Sequence, residues 1–189
     1  RMGRMLIEAV QDNPLTTLSA AIERQGSSLV GADAGEVASI GRINIKIVDD
    51  LVAVIDDIDV LIDFSLPEAT EQNMQICAEH KVAMVIGTTG FNEQQEQVLT
   101  EASKHIAIVY AGNYSTGVNL SLKLLAMAAK AFGTEADVEI IEAHHKHKID
   151  APSGTAYMMA EAVAEARGQD LKKVAVYGRE GQTGAREQG

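Results

Sequence analysis

The stretch DVLIDFSLPEATEQNMQICAEHKVAMVIGTTG (59–90) is the part of the sequence from which the fold is most readily predicted. Its first six residues, 59–64, form a short, mostly apolar run, typical of strands that are buried on both faces of a parallel sheet. Residues 65–81 have a helical pattern with Pro67 near the first turn, and residues 82–90 predict a strand that ends in a loop. This order indicates a right-handed crossover between parallel neighbours.

The same alternation continues on both sides of this stretch. Residues 92–105 predict a helix and 106–112 another buried strand, while 43–48 alternate like a half-buried strand. Nearer the N-terminus, residues 16–24 predict a strand and residues 1–11 a helix. The pattern therefore predicts an α/β fold with a doubly wound parallel sheet, in which ligands bind at the carboxyl ends of the strands.

The pattern changes near residue 115, where we expect a domain boundary. The run VNLSLKLLAMAAKAF (118–132) predicts a helix that is apolar on nearly every side, and we expect it to be buried between two domains or between subunits. Predicted strands at 137–143 and 174–180 flank a helix at 154–167. The predicted domains are a parallel-sheet domain at 1–115 and a smaller α+β domain at 116–189.

Composition narrows the classes of function. Hydrophobic residues make up 46% of the 189 residues, which is enough for a buried core. Sixteen basic and 27 acidic residues give a formal net charge of -11, which argues against a nucleic-acid or anionic-membrane partner. Cys77 is the only cysteine, so no intrachain disulfide is possible and a reducing, cytoplasmic compartment is expected. No apolar run approaches the ~20 residues that cross a bilayer.

Two features near the N-terminus are typical of dinucleotide binding. Arg1-Met2-Gly3-Arg4 (1–4) has the pattern that ends a phosphate-binding turn, although a helix that simply begins with these residues is the alternative. The predicted strand 16–24 ends in Glu23, and an acidic residue about 20 positions after such a turn accepts the ribose hydroxyls. Arg24 beside it is able to hold a 2′-phosphate, so the pair would accept both NADH and NADPH. A solvated surface pair is the alternative.

Two polar loops follow neighbouring predicted strands. GTTG (87–90) and AGNYS (111–115) each come directly after an apolar run. Both would lie at the carboxyl edge of the sheet, where a dinucleotide would extend. Gly and Thr also occur in such turns for backbone reasons alone, which is the alternative for both loops.

The segment EAHHKHKIDAPSGTA (142–156) gathers five basic side chains in an acidic protein. They are His144, His145, Lys146, His147 and Lys148. Clustered cations repel one another, so the cluster costs free energy that a solvated tail would avoid. Residues 152–155 begin a predicted helix whose free N–H groups attract carboxylate or phosphate, and histidines exchange protons near neutral pH. The segment predicts an anion site beside an acid–base group.

A zinc site and a solvated loop are the alternatives for this segment. Three histidines with Glu142 or Asp150 are possible zinc ligands. Adjacent residues of an extended chain point in opposite directions, however, and no pair of these histidines has the i, i+4 spacing that converges on a helix. The spacing therefore favours the anion site.

The segment 142–156 also resembles the signature of the 4-hydroxy-tetrahydrodipicolinate reductase (dihydrodipicolinate reductase) family. The similarity covers essentially the whole chain, because further segments resemble the family in the same order. They are RMGR (1–4), AAIERQGSSLVG (20–31), VLIDFSLPEAT (60–70), VIGTTGF (85–91), AGNYSTGVN (111–119) and REGQTG (179–184).

The resemblance implies a role for each matching residue. His144 is expected to be the catalytic acid–base histidine and Lys148 the catalytic lysine. The implied substrate-binding residues are His145, Ser153, Gly154 and Thr155. The implied cofactor-binding residues are Arg1, Met2, Glu23, Arg24, Gly87, Thr88, Thr89, Ala111, Gly112, Asn113 and Tyr114. No metal is implied.

The resemblance also implies an activity and a Rossmann-type fold. The expected reaction is NADH- or NADPH-dependent reduction of 4-hydroxy-tetrahydrodipicolinate, through its dehydrated cyclic imine, in lysine and diaminopimelate biosynthesis. Hydride would pass to C4 of the ring and a proton to C3, in a cleft between the two domains. The implied partners are this cyclic dicarboxylate and three further copies of the chain, in a homotetramer that assembles through the sheet of the second domain.

The chain departs from the family pattern in several places. It lacks the strand and glycine-rich turn expected before Arg1 and the strands expected after Gly189, so we expect truncation at both ends. Leu66 stands where a polar or basic residue is expected, and Tyr114 where an apolar aromatic residue is commoner. These differences leave the cofactor preference open. A module that binds dinucleotide or dicarboxylate without chemistry is the alternative to an enzyme.

Overall fold

The computed structural model describes residues 2–146, 148 and 151–185. The chain divides between Gly112 and Asn113 into two compact units, which are described separately below. The prediction that the first domain binds nucleotide and the second binds substrate stays a prediction. Within the described ranges, no helix has the length and apolar character that a membrane crossing requires.

The first unit alternates strands and helices. Its elements are α1 (Met2–Asp12), β1 (Ala21–Ile22), α2 (Ala34–Ala38), β2 (Ile47–Val48), a 3₁₀ turn (Val52–Asp57), β3 (Val60–Asp63), α3 (Pro67–His80), β4 (Ala83–Ile86), α4 (Glu93–Ala102) and β5 (Ile108–Tyr110). All pairings between these strands are parallel, which confirms the α/β class.

The described strands form two sheets where the sequence predicts one. β1 pairs with β2, and β3, β4 and β5 form a second sheet in that order. The predicted strands 16–24 and 43–48 shrink to two residues each, because a chain segment is a strand only where a neighbour shares its hydrogen bonds. The alternation of β3, α3, β4, α4 and β5 is as predicted.

The termini of α3 and α4 are determined by local sequence. Pro67 occupies the start of α3, where its fixed φ suits the helix and its missing N–H is not needed. α3 ends at Lys81, whose φ of 63° is left-handed and whose N–H donates to the Cys77 carbonyl. At the start of α4, Asn92 accepts from Gln95 N at 2.9 Å while the Gln95 side chain accepts from Asn92 N at 3.1 Å. This reciprocal capping box explains the sharp beginning of α4.

The core of the first unit lies between the three-stranded sheet and helices α3 and α4. Its buried members are Leu51, Ile55, Leu61, Met74, Cys77, Val82, Met84, Ile86, Ala102 and Ile106. A fully buried side chain such as Met84 contributes roughly 1.5–3 kcal/mol relative to an exposed one. The packing of these residues fixes the positions of the ends of β3, β4 and β5 relative to one another.

The prediction that these strands are buried on both faces is wrong for β3 and β5. Leu61 is buried, but its neighbours Val60 and Ile62 are 47% and 37% exposed, and Val109 of β5 is 56% exposed. Successive side chains of a strand point to opposite faces, and the buried face is the one in contact with the core. β3 therefore buries one face only, and β5 contacts the core through the partly buried Ile108.

The described part of the second unit is helical. It contains α5 (Thr116–Phe132), a 3₁₀ turn (Gly133–Glu135), α6 (Gly154–Ala166) and α7 (Leu171–Val174). α5 packs against α6. Within this unit Leu124 and Met127 of α5 are 56% and 69% exposed, so the burial of this helix between domains or subunits stays a prediction. α6 covers one side of α5 only, and an all-round apolar helix then keeps an uncovered face.

The two strands predicted for the second unit, 137–143 and 174–180, are wrong. The described residues 137–143 have no regular structure, and residues 171–174 belong to α7, whose first turn is capped by the Asp170 side chain. An alternating apolar pattern makes a strand only when another strand pairs with it, and neither segment has such a partner among the described residues. An Arg179–Glu139 ion pair still connects the two segments.

Candidate active site

The end of β1 brings Glu23 close to the first turn of α1. Glu23 N donates to the Val48 carbonyl at 2.9 Å, and the Glu23 carboxylate accepts from Arg24 N at 2.9 Å. A groove of about 390 Å³ is lined by Glu23 together with residues of α1, β1, β2 and α2. Those residues are Gly3, Arg4, Ile7, Ala21, Ile22, Leu29, Val37 and Ile47. Met2 is the exposed first residue of α1, whereas Arg1 lies outside the described residues.

The loop 87–90 follows β4, and its first residue is held by contacts with the end of β3 and with Phe64. Gly87 N donates to the Asp63 carbonyl at 2.8 Å, and a Cβ at Gly87 would overlap with the Phe64 ring. The Thr88 side chain points inward and is 3% exposed, while Thr89 is exposed. Of the predicted cofactor residues in this loop, Thr89 therefore has the accessible side chain.

The loop that follows β5 begins at the same sheet edge as the loop 87–90. Tyr110 is in register with Ile86, and Ala111 N donates to the Ile86 carbonyl at 3.2 Å. The Tyr110 ring lies 5.6 Å from that of Phe91, centroid to centroid. The predicted neighbourhood of these two loops in the first unit is confirmed as far as Gly112.

Asn113 and Tyr114 begin the second unit and precede α5. The Asn113 side chain accepts from Ser115 N at 2.8 Å, and the Asn113 carbonyl accepts from the Asn119 side chain at 2.9 Å. Ser115 in turn caps α5 by accepting from Val118 N at 3.4 Å. The Asn113 side chain therefore shapes the start of α5, while Tyr114 is exposed.

Glu142 connects the predicted acid–base histidine to the start of α6. One carboxylate oxygen accepts from Ser153 N at 2.8 Å, and the other lies 3.4 Å from Nδ1 of His144. Hydrogen bonds from the side chain and amide of Ser153 hold the pKa of Glu142 below its usual value. Burial opposes this shift, whereas the nearby cations of His144 and Lys148 add to it. Glu142 is thus a carboxylate positioned to stabilise a charged imidazole.

The first turn of α6 has the free amides that the sequence predicted. Ser153 is buried and caps the helix by accepting from Ala156 N at 3.1 Å. Gly154 and Thr155 follow as the first helical residues, and their N–H groups donate to no other described residue. Two donors at the positive end of a helix suit a carboxylate group.

The other members of the cationic loop lie close by in sequence. Lys148 N donates to the His145 carbonyl at 3.1 Å, so these two residues are in direct contact. Two of the possible zinc ligands, His147 and Asp150, lie outside the described residues. Within the described ranges, no group of three or more His, Cys, Asp or Glu side chains is arranged to hold a metal ion.

Sequence reasoning missed two positions in the first unit and the central role of Glu142. Thr70 is fully buried beside the loop 87–90, and Phe64 covers Gly87. The signal for Thr70 was available, because it shares a face of α3 with the buried Met74 and Cys77, at i, i+4 and i+7. A polar residue on a buried helical face needs a hydrogen-bond partner.

Comparisons with known proteins agree with the resemblance found in the sequence. Residues 1–114 match the family described as "Dihydrodipicolinate reductase, N-terminus", and residues 117–189 match "Dihydrodipicolinate reductase, C-terminus". A 4-hydroxy-tetrahydrodipicolinate reductase of Psychrobacter arcticus is 86% identical over 189 residues, which are 100% of this chain and 68% of that protein. One of Pseudomonas fluorescens is 62% identical over 188 residues, or 99% of this chain and 70% of the relative.

A solved structure has the same fold. The dipicolinate-bound dihydrodipicolinate reductase of Paenisporosarcina sp. TG-14 superposes with a TM-score of 0.68 at 29% identity. The match covers 98% of this chain and 67% of the other. Because both parts of the family pattern match and a relative is 86% identical, the chain belongs to the dihydrodipicolinate reductase family.

Proposed function

We infer that this chain is a 4-hydroxy-tetrahydrodipicolinate reductase, a pyridine-nucleotide-dependent oxidoreductase of lysine biosynthesis. The identities of 86% and 62% to relatives of that name support this function. The site residues, their roles and the preferred nucleotide are proposals that rest on the geometry of the two units.

The proposed substrate site is the segment from Glu142 to Thr155. The single observation that carries it is the Glu142 carboxylate, which contacts both His144 and the first turn of α6. An acid–base imidazole thereby lies near two free helix amides, at Gly154 and Thr155. A cyclic substrate with two carboxylates needs both features: donors for one carboxylate and a proton source beside the ring.

Each cationic residue then has a distinct proposed task. A bound reduced nucleotide supplies hydride to C4 of the conjugated ring. His144 delivers the proton that C3 receives, and Glu142 stabilises the imidazolium before the transfer. Lys148 offsets the negative charge that develops on the ring, and His145 completes the substrate contacts. Ser153 is buried and its amide is bonded to Glu142, so it orients the start of α6 and does not contact the substrate.

The proposed nucleotide site lies in the first unit and its following loop. Glu23 accepts the adenosine ribose hydroxyls, and Arg24 binds a 2′-phosphate when one is present, so both NADH and NADPH are accepted. The amides of 87–90 and 111–112 line the nicotinamide end. The groove beside Glu23 and the common sheet edge of these two loops support this arrangement.

Assembly and compartment follow the family resemblance. The family resemblance implies a homotetramer, and the single cysteine, Cys77, is typical of a reducing, cytoplasmic compartment. The formal net charge of -11 favours neither a nucleic-acid nor a membrane partner.

The proposed role of His144 is tested by replacing it with glutamine. We expect His144→Gln to lower kcat by roughly a hundredfold or more while the KM for the dicarboxylate changes little, because proton transfer contributes mainly in the transition state. The matched control is His105→Gln, which alters an exposed histidine that pairs with Glu101 after α4. Steady-state oxidation of NADH and NADPH with freshly generated substrate measures both constants.

The outcomes separate the alternatives. A KM increase with an unchanged kcat would make His144 a binding residue and would contradict its catalytic role. Nucleotide binding without any turnover by the wild-type protein would favour the binding-module alternative.

A further inference from the structure

We propose that Thr70 is a positioning residue for the nucleotide: through its hydrogen bond to Thr88 it holds the loop 87–90 in the conformation that binds the nicotinamide end. This inference rests on the proposed nucleotide site. Thr70 itself touches no ligand, because it is fully buried within α3.

The hydrogen bond joins two buried hydroxyls in different elements. Thr70 Oγ1 donates to Thr88 Oγ1 at 2.8 Å, and the two residues are 0% and 3% exposed. The Ser65 hydroxyl lies 3.2 Å from Thr70 Oγ1. A hydroxyl has one proton to give, so when Thr70 donates to Thr88, Ser65 must donate to Thr70. The hydrogen bonds between these three hydroxyls therefore connect the end of β3, through α3, to the loop after β4.

A second set of hydrogen bonds fixes the end of β3 close to these three hydroxyls. Asp63 is 4% exposed, and its carboxylate accepts from Ser65 N and from the Asn73 side chain, both at 2.9 Å. Asn73 belongs to α3, so these bonds join the end of β3 to the helix that carries Thr70. Thr70 is therefore held in place independently of the loop that it supports.

The loop 87–90 depends on this support. Its inward side chain is Thr88, while Thr89 and Gly90 are exposed. Gly87 lies against Phe64, which restrains the beginning of the loop, and the Thr70–Thr88 bond restrains its middle. A loop that is ordered before the ligand arrives avoids the entropic cost of ordering it on binding.

The test compares two variants of Thr70, one that lacks the hydroxyl group and one that keeps it. Thr70→Val keeps the shape of the side chain and removes the hydroxyl, whereas Thr70→Ser keeps the hydroxyl. We expect Thr70→Val to raise the Kd of NADH and NADPH about fivefold, the effect of one net hydrogen bond, and Thr70→Ser to stay close to wild type. The control is Thr100→Val, which removes an exposed hydroxyl that bonds the Glu96 carbonyl in α4.

The intact protein is titrated with each reduced nucleotide by fluorescence, and kcat and both KM values are measured alongside. A positioning role raises the nucleotide KM and leaves the dicarboxylate KM unchanged. Because Thr70 acts through Thr88, adding Thr70→Val to a Thr88→Val protein should change the nucleotide Kd no further.

Two outcomes would overturn the inference. An unchanged nucleotide Kd in Thr70→Val together with a lower melting temperature would make Thr70 purely structural. If Thr70→Val does not fold, Thr88→Val removes the same bond from the other side, and normal nucleotide binding by it would overturn the inference equally. A wild-type protein that binds no reduced nucleotide would instead contradict the proposed function itself.

Discussion

Glu142 is the residue on which the geometry of the proposed substrate site depends most. It occupies the Ser153 amide and faces His144, so it both fixes the start of α6 and holds the imidazole. A carboxylate at this position also limits which helix amides a substrate is able to use. The substrate carboxylate is left with the amides of Gly154 and Thr155.

The lowered pKa of Glu142 predicts a specific acid sensitivity. The pKa of Glu142 in the folded protein lies below the ordinary value of 4.5, which applies to the unfolded chain. Between these two pKa values the unfolded chain therefore binds more protons than the folded chain. The stabilisation is complete above about pH 4.5 and is lost as pH falls through the lowered pKa. We expect Glu142→Gln to reduce the slope of the unfolding free energy against pH in this range, measured by urea denaturation.

The control for this measurement is Glu161→Gln, which removes one negative charge at an exposed position of α6. It should leave the acid-side slope close to that of the wild type. Identical slopes for Glu142→Gln and the wild-type protein would show that the contacts to Ser153 do not persist in solution.

At the scale of elements, the end of β4 is the most constrained connection in the proposed nucleotide site. A side chain at Gly87 would meet the ring of Phe64, which follows β3. We expect Gly87→Ala to destabilise the protein by about 1–3 kcal/mol, because the added methyl group forces the ring or the strand end to shift. Nucleotide affinity should fall as well, since the loop begins at this residue.

Gly117→Ala is the matched control for Gly87→Ala. Gly117 lies in the first turn of α5, where an added Cβ would meet only the Ser115 hydroxyl at 3.7 Å. Alanine is the better helix former by up to about 1 kcal/mol, so this change should be neutral or stabilising. Chemical denaturation measures both. Wild-type stability of Gly87→Ala would mean that the Phe64 ring moves aside without cost.

The elements also show what sequence is able to predict. Helices α3 and α4 were predicted within a few residues because their ends depend on local signals: Pro67 for α3 and the Asn92 cap for α4. The strands predicted at 137–143 and 174–180 were wrong because a strand depends on a partner distant in sequence. The Thr70–Thr88 bond was missed for a related reason, since it joins residues 18 positions apart.

At the scale of the whole molecule, charge explains why the cations are concentrated. A chain with a formal net charge of -11 repels anionic substrates and nucleotides at long range. Binding then depends on cations and helix amides at short range, where screening by salt is weaker. Lys146 and Lys148 supply such local charge in the second unit, and Arg4 and Arg24 supply it in the first.

The division of the chain into two units leads to a prediction about which part of the chain each ligand protects. If the first unit binds nucleotide and the second binds dicarboxylate, each ligand added singly should slow hydrogen exchange in a different part of the chain. Reduced nucleotide should protect 21–24 and 87–90, and pyridine-2,6-dicarboxylate should protect 142–156. Protection reaches up to about a hundredfold when the ligand is at 100 times its Kd, because binding to the closed state opposes opening.

Two variants assign the protection to the proposed contacts. Arg24→Ala should weaken the protection by NADPH more than that by NADH, because only NADPH carries the 2′-phosphate that the guanidinium binds. Lys148→Ala should weaken the protection by the dicarboxylate alone, because it removes a cation from the second unit and none from the first. Protection of 87–90 by the dicarboxylate with 142–156 unchanged would contradict the assignment, since the acid groups would then bind the sheet edge and not the amides at the start of α6.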